Sequence, residues 1–489
     1  MKIILAGYNI DYDIIRTLRE KCLFQPDVTP ETISAAYARI SRSPKQVFEL
    51  RELARREVDK ARQSNRNIVF AMGHSSVAEH AVFNIDIIGV SRLLIEEIEK
   101  FRLCSFTEKS QRYVLFNKDY VIPEEIKQAG LADLFIETVS RQNDYYHRLY
   151  EWIRPHVFTH NKVLAENPAN RPLLEGWAKE DARYAISLAT ETQLGMTINA
   201  RNLELMLRRL AALPLEEAKE YSNKLYAATK KIAPSLIRYT AATPYDQFTR
   251  LNLQRQANVF GVKYPQPVAA EHLPAVQLSF VTPDADNKIV AFLLFSSSNL
   301  SYEQCLAQAA RLQPREKKTL LKTIFEHIQP HDAVLRELEG VDLQFELVLS
   351  ASCFAQLKRH RMATIIAQNY DPHLGFTMPP SISAIGRQKQ FREIMNRTQD
   401  AFEQIKKKAP LAAPYVLTNA HRKRVAMKLN ARELYHFARL RADEHAQWDI
   451  RLLACEMLRK AKKVMPLTLL LACGKDGFAC LHEKAFPRT

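Results

Sequence analysis

Asn199-Ala200-Arg201 opens one long helical pattern, and Asn430-Ala431-Arg432 opens another 231 residues later. Each pattern starts on an Asn that can cap a helix, and each stops at a proline, Pro234 in one and Pro466 in the other. A second correspondence lies upstream, where Lys100-Phe101-Arg102 has its counterpart in Arg359-His360-Arg361, 259 residues on. The two offsets differ because the first copy carries extra sequence between its basic segment and its capped helix. The recurring order of strand, helices, strand, basic helix and capped helix divides the 489 residues into two diverged copies of one domain. The expected boundaries are 1–240 for the first copy, 241–275 for a connection and 276–489 for the second. The fold class is an α/β architecture of the α+β type, helix-rich, with a mixed or antiparallel sheet in each copy.

Around these anchors, Val82 to Ile87 alternates as a strand and leads into a helix that has Val90, Leu94, Ile98 and Phe101 on one face and also presents Arg92 and Arg102. The stretch 29–66 has apolar residues at helical spacing among charges and reads as surface helices. Val276 to Val281 alternates as a strand, and the apolar run Ile289 to Phe295 reads as another. The segment 241–275, rich in Pro and Gln, has no clear period and reads as irregular connection.

Composition narrows the chemistry. There are 70 Lys and Arg against 54 Asp and Glu, a formal charge of +16, so anionic ligands are favoured. Only 12 residues are Gly, and neither a G-x-G-x-x-G nor a phosphate-loop pattern occurs, which argues against a glycine-built nucleotide cradle. Seven scattered Cys, none spaced C-x-x-C, exclude a zinc ribbon and a disulfide framework and point to a reduced, cytoplasmic setting. No apolar run is long enough for a membrane span. Basic runs such as Lys406-Lys407-Lys408 and Arg422-Lys423-Arg424 would suit nucleic acid, yet acids are interleaved throughout and no recognition motif appears.

Four segments carry candidate chemistry. His74-Ser75-Ser76-Val77-Ala78-Glu79-His80 groups two imidazoles and a carboxylate, but not at metalloprotease spacing, so no metal is assigned; a capping box from Ser76 to Glu79 explains it equally well. Ser105-x4-Ser110-x-Arg112-Tyr113 supplies hydroxyls and a guanidinium suited to a phosphate monoester. Gln356-x2-Arg359-His360-Arg361 puts two guanidiniums and an imidazole on one turn, either as a solvated basic face or, given Phe354, Leu357, Ile365 and Ile366 around it, as a partly packed segment. In the stretch 440–451, Arg441 and His445 are four apart and would be neighbours on one helix face.

Taken in order, H-x-S-x-x-E-H and S-x4-S-x-R-Y in the first copy, with R-H-R, N-A-R-E-L and L-R-A-D-x-H-A-Q-W in the second, resemble the flavin-dependent thymidylate synthases. The resemblance implies FAD, with NADPH and methylenetetrahydrofolate as co-substrates, reductive methyl transfer to dUMP or a similar pyrimidine nucleotide, and a homodimer imitating the family's tetramer. Carried over, Ser110, Arg112 and Arg183 bind the nucleotide phosphate; Arg441 and Gln356 face the pyrimidine as the catalytic pair; and Arg359, His360, Arg361, Asn430, Arg432, His445, His74 and Glu79 lie on the flavin side. Departures divide these roles between the copies. The first has Phe101 for the central His and Leu210 and Pro214 at the slots of Arg441 and His445, while the second has Asn369-Tyr370-Asp371 for S-x-R and Pro414 for the other phosphate arginine. One composite site shared by the copies is the expected result. A drifted FAD- or nucleotide-binding protein with another substrate or no catalysis, and a nucleic-acid-binding protein, are the alternatives.

Overall fold

The computed structural model describes residues 1–21, 29–40, 45, 47–71, 74–112, 114–116, 119–260 and 274–487. Two compact units emerge, Met1–Tyr264 with Ala384–Leu417, and Pro265–Ser383 with Thr418–Thr489.

The first unit is built on a four-stranded antiparallel sheet of β1 (Lys2–Tyr8), β2 (Val82–Ser91), β3 (Ser105–Glu108) and β4 (Glu191–Asn199), in the order β1-β2-β4-β3. Period-two alternation turns Phe83, Ile85 and Ile87 of β2 and Leu194, Met196 and Ile198 of β4 to one buried face. The second unit repeats this with β5 (Val276–Val281), β6 (Asp342–Ser350), β7 (Thr364–Ala367) and β8 (Arg422–Asn430), ordered β5-β6-β8-β7 and again antiparallel throughout. Strand β3 lies 259 residues before β7, and β4 lies 231 before β8, the two offsets read from sequence. Along β2 the offset slips by one residue. The cause is a bulge between Ile88 and Val90, where Gly89 takes φ +71°, a conformation that costs a residue with a Cβ; β6 pairs with β8 without interruption.

Capping chemistry repeats with the topology. Asn199 accepts from the Asn202 N–H (2.9 Å) to start helix Ala200–Ala211, and Asn430 accepts from the Glu433 N–H (2.8 Å) to start Ala431–Arg441. Ser91 and Ser350 cap Arg92–Ile98 and Ala351–Leu357 in the same way. Each serine hydroxyl also donates to a carboxylate at the start of a later helix, Ser91 to Glu217 and Ser350 to Asp449, both at 2.6 Å. A lost cap of this kind costs about 1 kcal/mol.

Several expectations are corrected. Ile289–Phe295 lies in helix Ala285–Ser296, because a run of apolar residues without alternation fits a buried helix as well as a strand. The supposed connection contains helix Pro244–Val259, begun by a Thr243–Asp246 capping box; positions 261–273 lie outside the described residues. Val90 belongs to β2, so the helix after it is only seven residues long. Both capped helical patterns are interrupted: Ala200–Ala211 is followed, beyond Pro214, by Glu216–Thr229, and Ala431–Arg441 by Trp448–Val464. The helices within 29–66 are not merely surface elements, since Ala35, Ala36, Leu50, Ala54 and Ala61 form a small core of their own.

The first unit also takes in part of the second copy. Helix Gln388–Lys408 packs on helix Ala132–His160, where the buried Gln142 amide donates to Thr398 Oγ1 (2.8 Å) and to the Val416 carbonyl (2.9 Å). The Leu188 and Ala189 N–H groups donate to the carbonyls of Leu417 and Tyr415 (2.7 and 3.0 Å). Tyr415 O–H donates to Glu217 (2.6 Å), where burial pushes the carboxyl above its usual range.

Candidate functional site

In the first unit, three guanidiniums gather beside the end of β3. Ser110 accepts from the Arg112 N–H (3.1 Å), fixing the turn, and the Arg112 guanidinium pairs with Glu180. Arg183, on the 3-10 turn after helix Arg171–Ala182, is buried and donates from Nε to the Glu180 carbonyl (3.2 Å). Burial lowers the Arg183 guanidinium from its ordinary value, Glu180 opposes the shift, and the positive charges of Arg112 and Arg92 add to it. Arg92, 2 % exposed, reaches Glu108 on β3 (3.2 Å). Guanidiniums give forked, charge-assisted bonds to oxyanions, so the cluster, with Glu180 and Glu108 as its carboxylates, has chemistry suited to one. The residues 110, 112 and 183 expected for phosphate are thus brought together; Glu180 and Arg92 are additions, and Tyr113 lies outside the described residues.

His74 and Glu79 stand apart from this cluster's bonding. His74 is exposed at the start of the 3-10 segment Ser75–His80, which has no side-chain cap, and Glu79 pairs with Arg201 at 2.5 Å, so the capping box does not form. No metal-holding group of His, Cys, Asp and Glu occurs among the described residues.

In the second unit, the R-H-R segment follows helix Ala351–Leu357 and its side chains divide: Arg359 and Arg361 are exposed, whereas His360 is buried. The imidazole packs edge-on against Phe437, with ring centroids 4.7 Å apart, and its Nε2 accepts from Arg441 Nε at 2.9 Å. Arg441 Nη2 also donates to the Gln356 carbonyl (3.4 Å), and the Gln356 amide donates to Gln447 Oε1 (3.1 Å). Gln447, buried, caps helix Trp448–Val464 by accepting from the Ile450 N–H. Gln356, His360 and Arg441 are therefore one cluster.

The helix ends at Arg441, which places His445 on the following turn rather than one helical turn along the same face. Its imidazole is 80 % exposed and meets Asp443 Oδ1 at 2.9 Å. Burial would raise the Asp443 carboxyl, but bonds from His445 and from the Asp476 N–H hold it below the usual range. Asn430 is occupied as a helix cap, and Arg432 is tied to the Val334 carbonyl (2.9 Å) and Glu339 (2.8 Å), so both support the fold around the cluster.

At the place in the second unit that answers to Ser110–Arg112, Asp371 accepts from the His373 N–H to cap a short 3-10 turn. Beside it Lys423, on the buried face of β8, lies 3.8 Å from the Tyr370 ring centroid and 4.2 Å from that of Phe354. The alternation of β8 carried a signal for this: in Arg422-Lys423-Arg424-Val425, Lys423 shares the face of Val425, Met427 and Leu429.

Comparison with known proteins agrees with this duplicated plan. The family model for the thymidylate synthase complementing protein matches residues 23–235 and again 277–467. A flavin-dependent thymidylate synthase of Clostridium tetani is 31 % identical over 43 % of this chain and 82 % of its own length. A UPF0159 protein of Chlamydia pneumoniae is 24 % identical over 84 % of this chain and 80 % of its own, a relative matched across both copies. Among solved structures, a flavin-dependent thymidylate synthase of Helicobacter pylori, complexed with FAD and dUMP, aligns at 17 % identity over 49 % of this chain and 100 % of its own, with a TM-score of 0.32. With the family pattern matched twice over most of its length, the chain belongs to the thymidylate synthase complementing protein family, that of the flavin-dependent thymidylate synthases.

Proposed function

We propose that the protein is a flavin-dependent thymidylate synthase, which methylates dUMP reductively using FAD, NADPH and methylenetetrahydrofolate. The observation that carries this reading is the convergence of Arg112 and Arg183 on Glu180 within a chain of this family. The copies, 1–240 and 276–489, complement one another. The first contributes Ser110, Arg112 and Arg183 for the phosphate, with His74 and Glu79 on its flavin side. The second contributes the base and most of the flavin contacts.

A phosphate dianion would compete with Glu180 for the Arg112 fork and offset the charge of Arg183, both by charge-assisted bonds. Arg441, always protonated, would donate to the base oxygen on which negative charge develops. Gln356, whose amide N–H is given to Gln447, keeps its amide oxygen as an acceptor for a base N–H. For FAD, Arg359, Arg361 and His445 are exposed and able to donate to an anionic pyrophosphate, while Asn430 and Arg432 hold the start of helix Ala431–Arg441. When bound, reduced FAD supplies the hydride that completes the methyl group. A cytoplasmic homodimer imitating the family's tetramer completes the proposal; no helix among the described residues is long and apolar enough to cross a membrane.

The test is the absorption spectrum of the purified protein, then FAD titration with and without dUMP and an assay for thymidylate. One FAD per chain, bound more tightly with dUMP and released when Arg359, His360 and Arg361 are changed together to Ala, is the expected result. Failure to bind FAD under any condition overturns the reading.

A further inference from the structure

We propose that Glu433 is the positioning residue for Arg441, acting through the imidazole of His360. The proposal deepens the reading above, on which it rests for the statement that Arg441 faces the pyrimidine.

Hydrogen-bond polarity along the cluster leads to it. A guanidinium only donates, so the Arg441 Nε–H bond to His360 Nε2 (2.9 Å) requires a lone pair on Nε2 and puts the imidazole proton on Nδ1. His360 Nδ1 faces Glu433 Oε1 at 3.5 Å, with both side chains buried. Neither atom has a hydrogen-bond partner among the described residues, so the carboxylate is the acceptor available to the Nδ1–H. Burial lowers the pKa of the imidazole while Glu433 opposes the shift, and the net lowering is the direction that favours the neutral ring the Nε2 acceptor requires.

The carboxylate is itself fixed. Glu433 is in the first turn of helix Ala431–Arg441, and its N–H is held by the Asn430 cap. One turn on, His436 and Phe437 pack against the His360 ring, with centroids 5.8 and 4.7 Å away. Arg441 ends the same helix, so a single element carries the first and last members of the relay and the ring that wedges its middle. With Nε on His360 and Nη2 on the Gln356 carbonyl, the guanidinium has a defined plane. Were the imidazole proton to move to Nε2, two N–H groups would oppose each other and Arg441 would have to turn away.

The first copy supplies an internal control. At the positions of Glu433, His360 and Arg441 it has Asn202, Phe101 and Leu210. Among the described residues, Asn202 bonds within its own cap, donating to Asn199 Oδ1 (2.8 Å), and the Phe101 ring has no N–H to offer it. All three members are replaced together, as expected of parts that work as one device.

The experiment uses the full chain with Glu433→Ala, Glu433→Gln and His360→Phe. In 15N spectra of protein labelled at histidine, His360 carries its proton on Nδ1 in the wild type and in Glu433→Gln, whose amide oxygen still accepts, and loses that preference in Glu433→Ala. Thymidylate formation follows the tautomer: kcat/KM for dUMP falls about 10- to 100-fold in Glu433→Ala and His360→Phe, the range expected when a catalytic group is misplaced by about 1 Å, and recovers in Glu433→Gln, with FAD retained in both Glu433 variants. Should Glu433→Ala fail to fold, the contrast between His360→Phe and Glu433→Gln decides. An Nε2–H tautomer in the wild type, full activity in Glu433→Ala, or equal impairment of Glu433→Gln and Glu433→Ala each overturns the relay. Arg441→Ala separates the two claims: dUMP turnover unaffected by that change would overturn the assignment of Arg441 to the base, whereas loss in Arg441→Ala without loss in Glu433→Ala overturns the relay alone.

Discussion

The neighbourhoods of Arg112 in the first copy and Asp371 in the second occupy the same place in the same topology, yet one gathers guanidiniums around Glu180 and the other sets a carboxylate in the arginine's place. Around Arg112, which pairs with Glu180, Arg183 is held in a buried position where burial and the charges of Arg112 and Arg92 lower its guanidinium from the ordinary value. Around Asp371 the carboxylate caps a turn, and the nearby cation, Lys423, lies between Tyr370 and Phe354. On the proposed function, duplication left one scaffold with two fates for its charges: in one place they serve a ligand, and in the other a carboxylate serves as a cap within the protein.

The largest effect that sharpens this contrast concerns acid stability. His421 is buried on the second copy where the first has Thr190, and each forms the same isolated bridge, to Phe376 and Tyr120 respectively. Its Nδ1 accepts from the Thr418 N–H at 3.0 Å, and burial pulls its pKa down to about 4. Unfolded chain takes up the proton near pH 6.5 and the folded ring refuses it until about pH 4, so this stability is present above pH 6.5 and is lost as pH falls through that window. A slope of about 1.4 kcal/mol per pH unit is expected. It is checked by urea unfolding followed at Trp448, with Trp152 and Trp177 changed to Phe, and His421→Thr should flatten the acid limb. An unchanged slope in that variant would remove the contrast.

Next in size, Arg112→Ala or Arg183→Ala should weaken dUMP binding by about 1.5–3 kcal/mol, the usual worth of a charged hydrogen bond. Equilibrium dialysis reads this directly. Asp371→Arg should recover none of the loss, because the second copy also lacks a partner for Arg183, having Pro414 there. Rescue by Asp371→Arg would break the division of roles between the copies.

Lys423→Thr, which installs the first copy's Thr192, should cost about 1–2 kcal/mol through lost cation–π contact. Thermal unfolding measures it, and a stabilised variant would mean that the lysine is retained against its burial cost for some other purpose. The smallest expected effect is Asp371→Ala, about 1 kcal/mol for a lost cap. A gain in dUMP affinity on that change would show that the carboxylate, rather than the missing arginines, is what bars the nucleotide.

Much of the fold was legible because capping and alternation are local. Asn199 and Asn430 set the repeat, and the alternation of 82–87 and 276–281 gave strands. Where periodicity was silent the reading failed: Ile289–Phe295, apolar throughout, became a helix, and the chain near 244–259, largely polar and with no buried residue, offered no face to detect. For the site, residue types were readable but their pairing was not. That Glu433 meets His360, or that Ser91 meets Glu217 across 126 positions, depends on strand order and on where helices break, neither of which a charge pattern encodes. Lys423 was the exception: its alternation with Val425 marked it as inward, but the basic run around it hid the signal.

The inclusion of Gln388–Lys408 and of the 3-10 turn Ala413–Val416 in the first unit has a consequence for biosynthesis. A ribosome making this chain releases the whole first copy well before residue 417, and until then Gln142 has no Thr398 or Val416 to bond and Glu217 has no Tyr415. Maturation of the first unit must therefore wait for the second copy to be largely translated. The two halves of the duplicated gene are bound to one order of synthesis, and a gene fission between the copies would leave the first product exposing the helix face that the second was to cover.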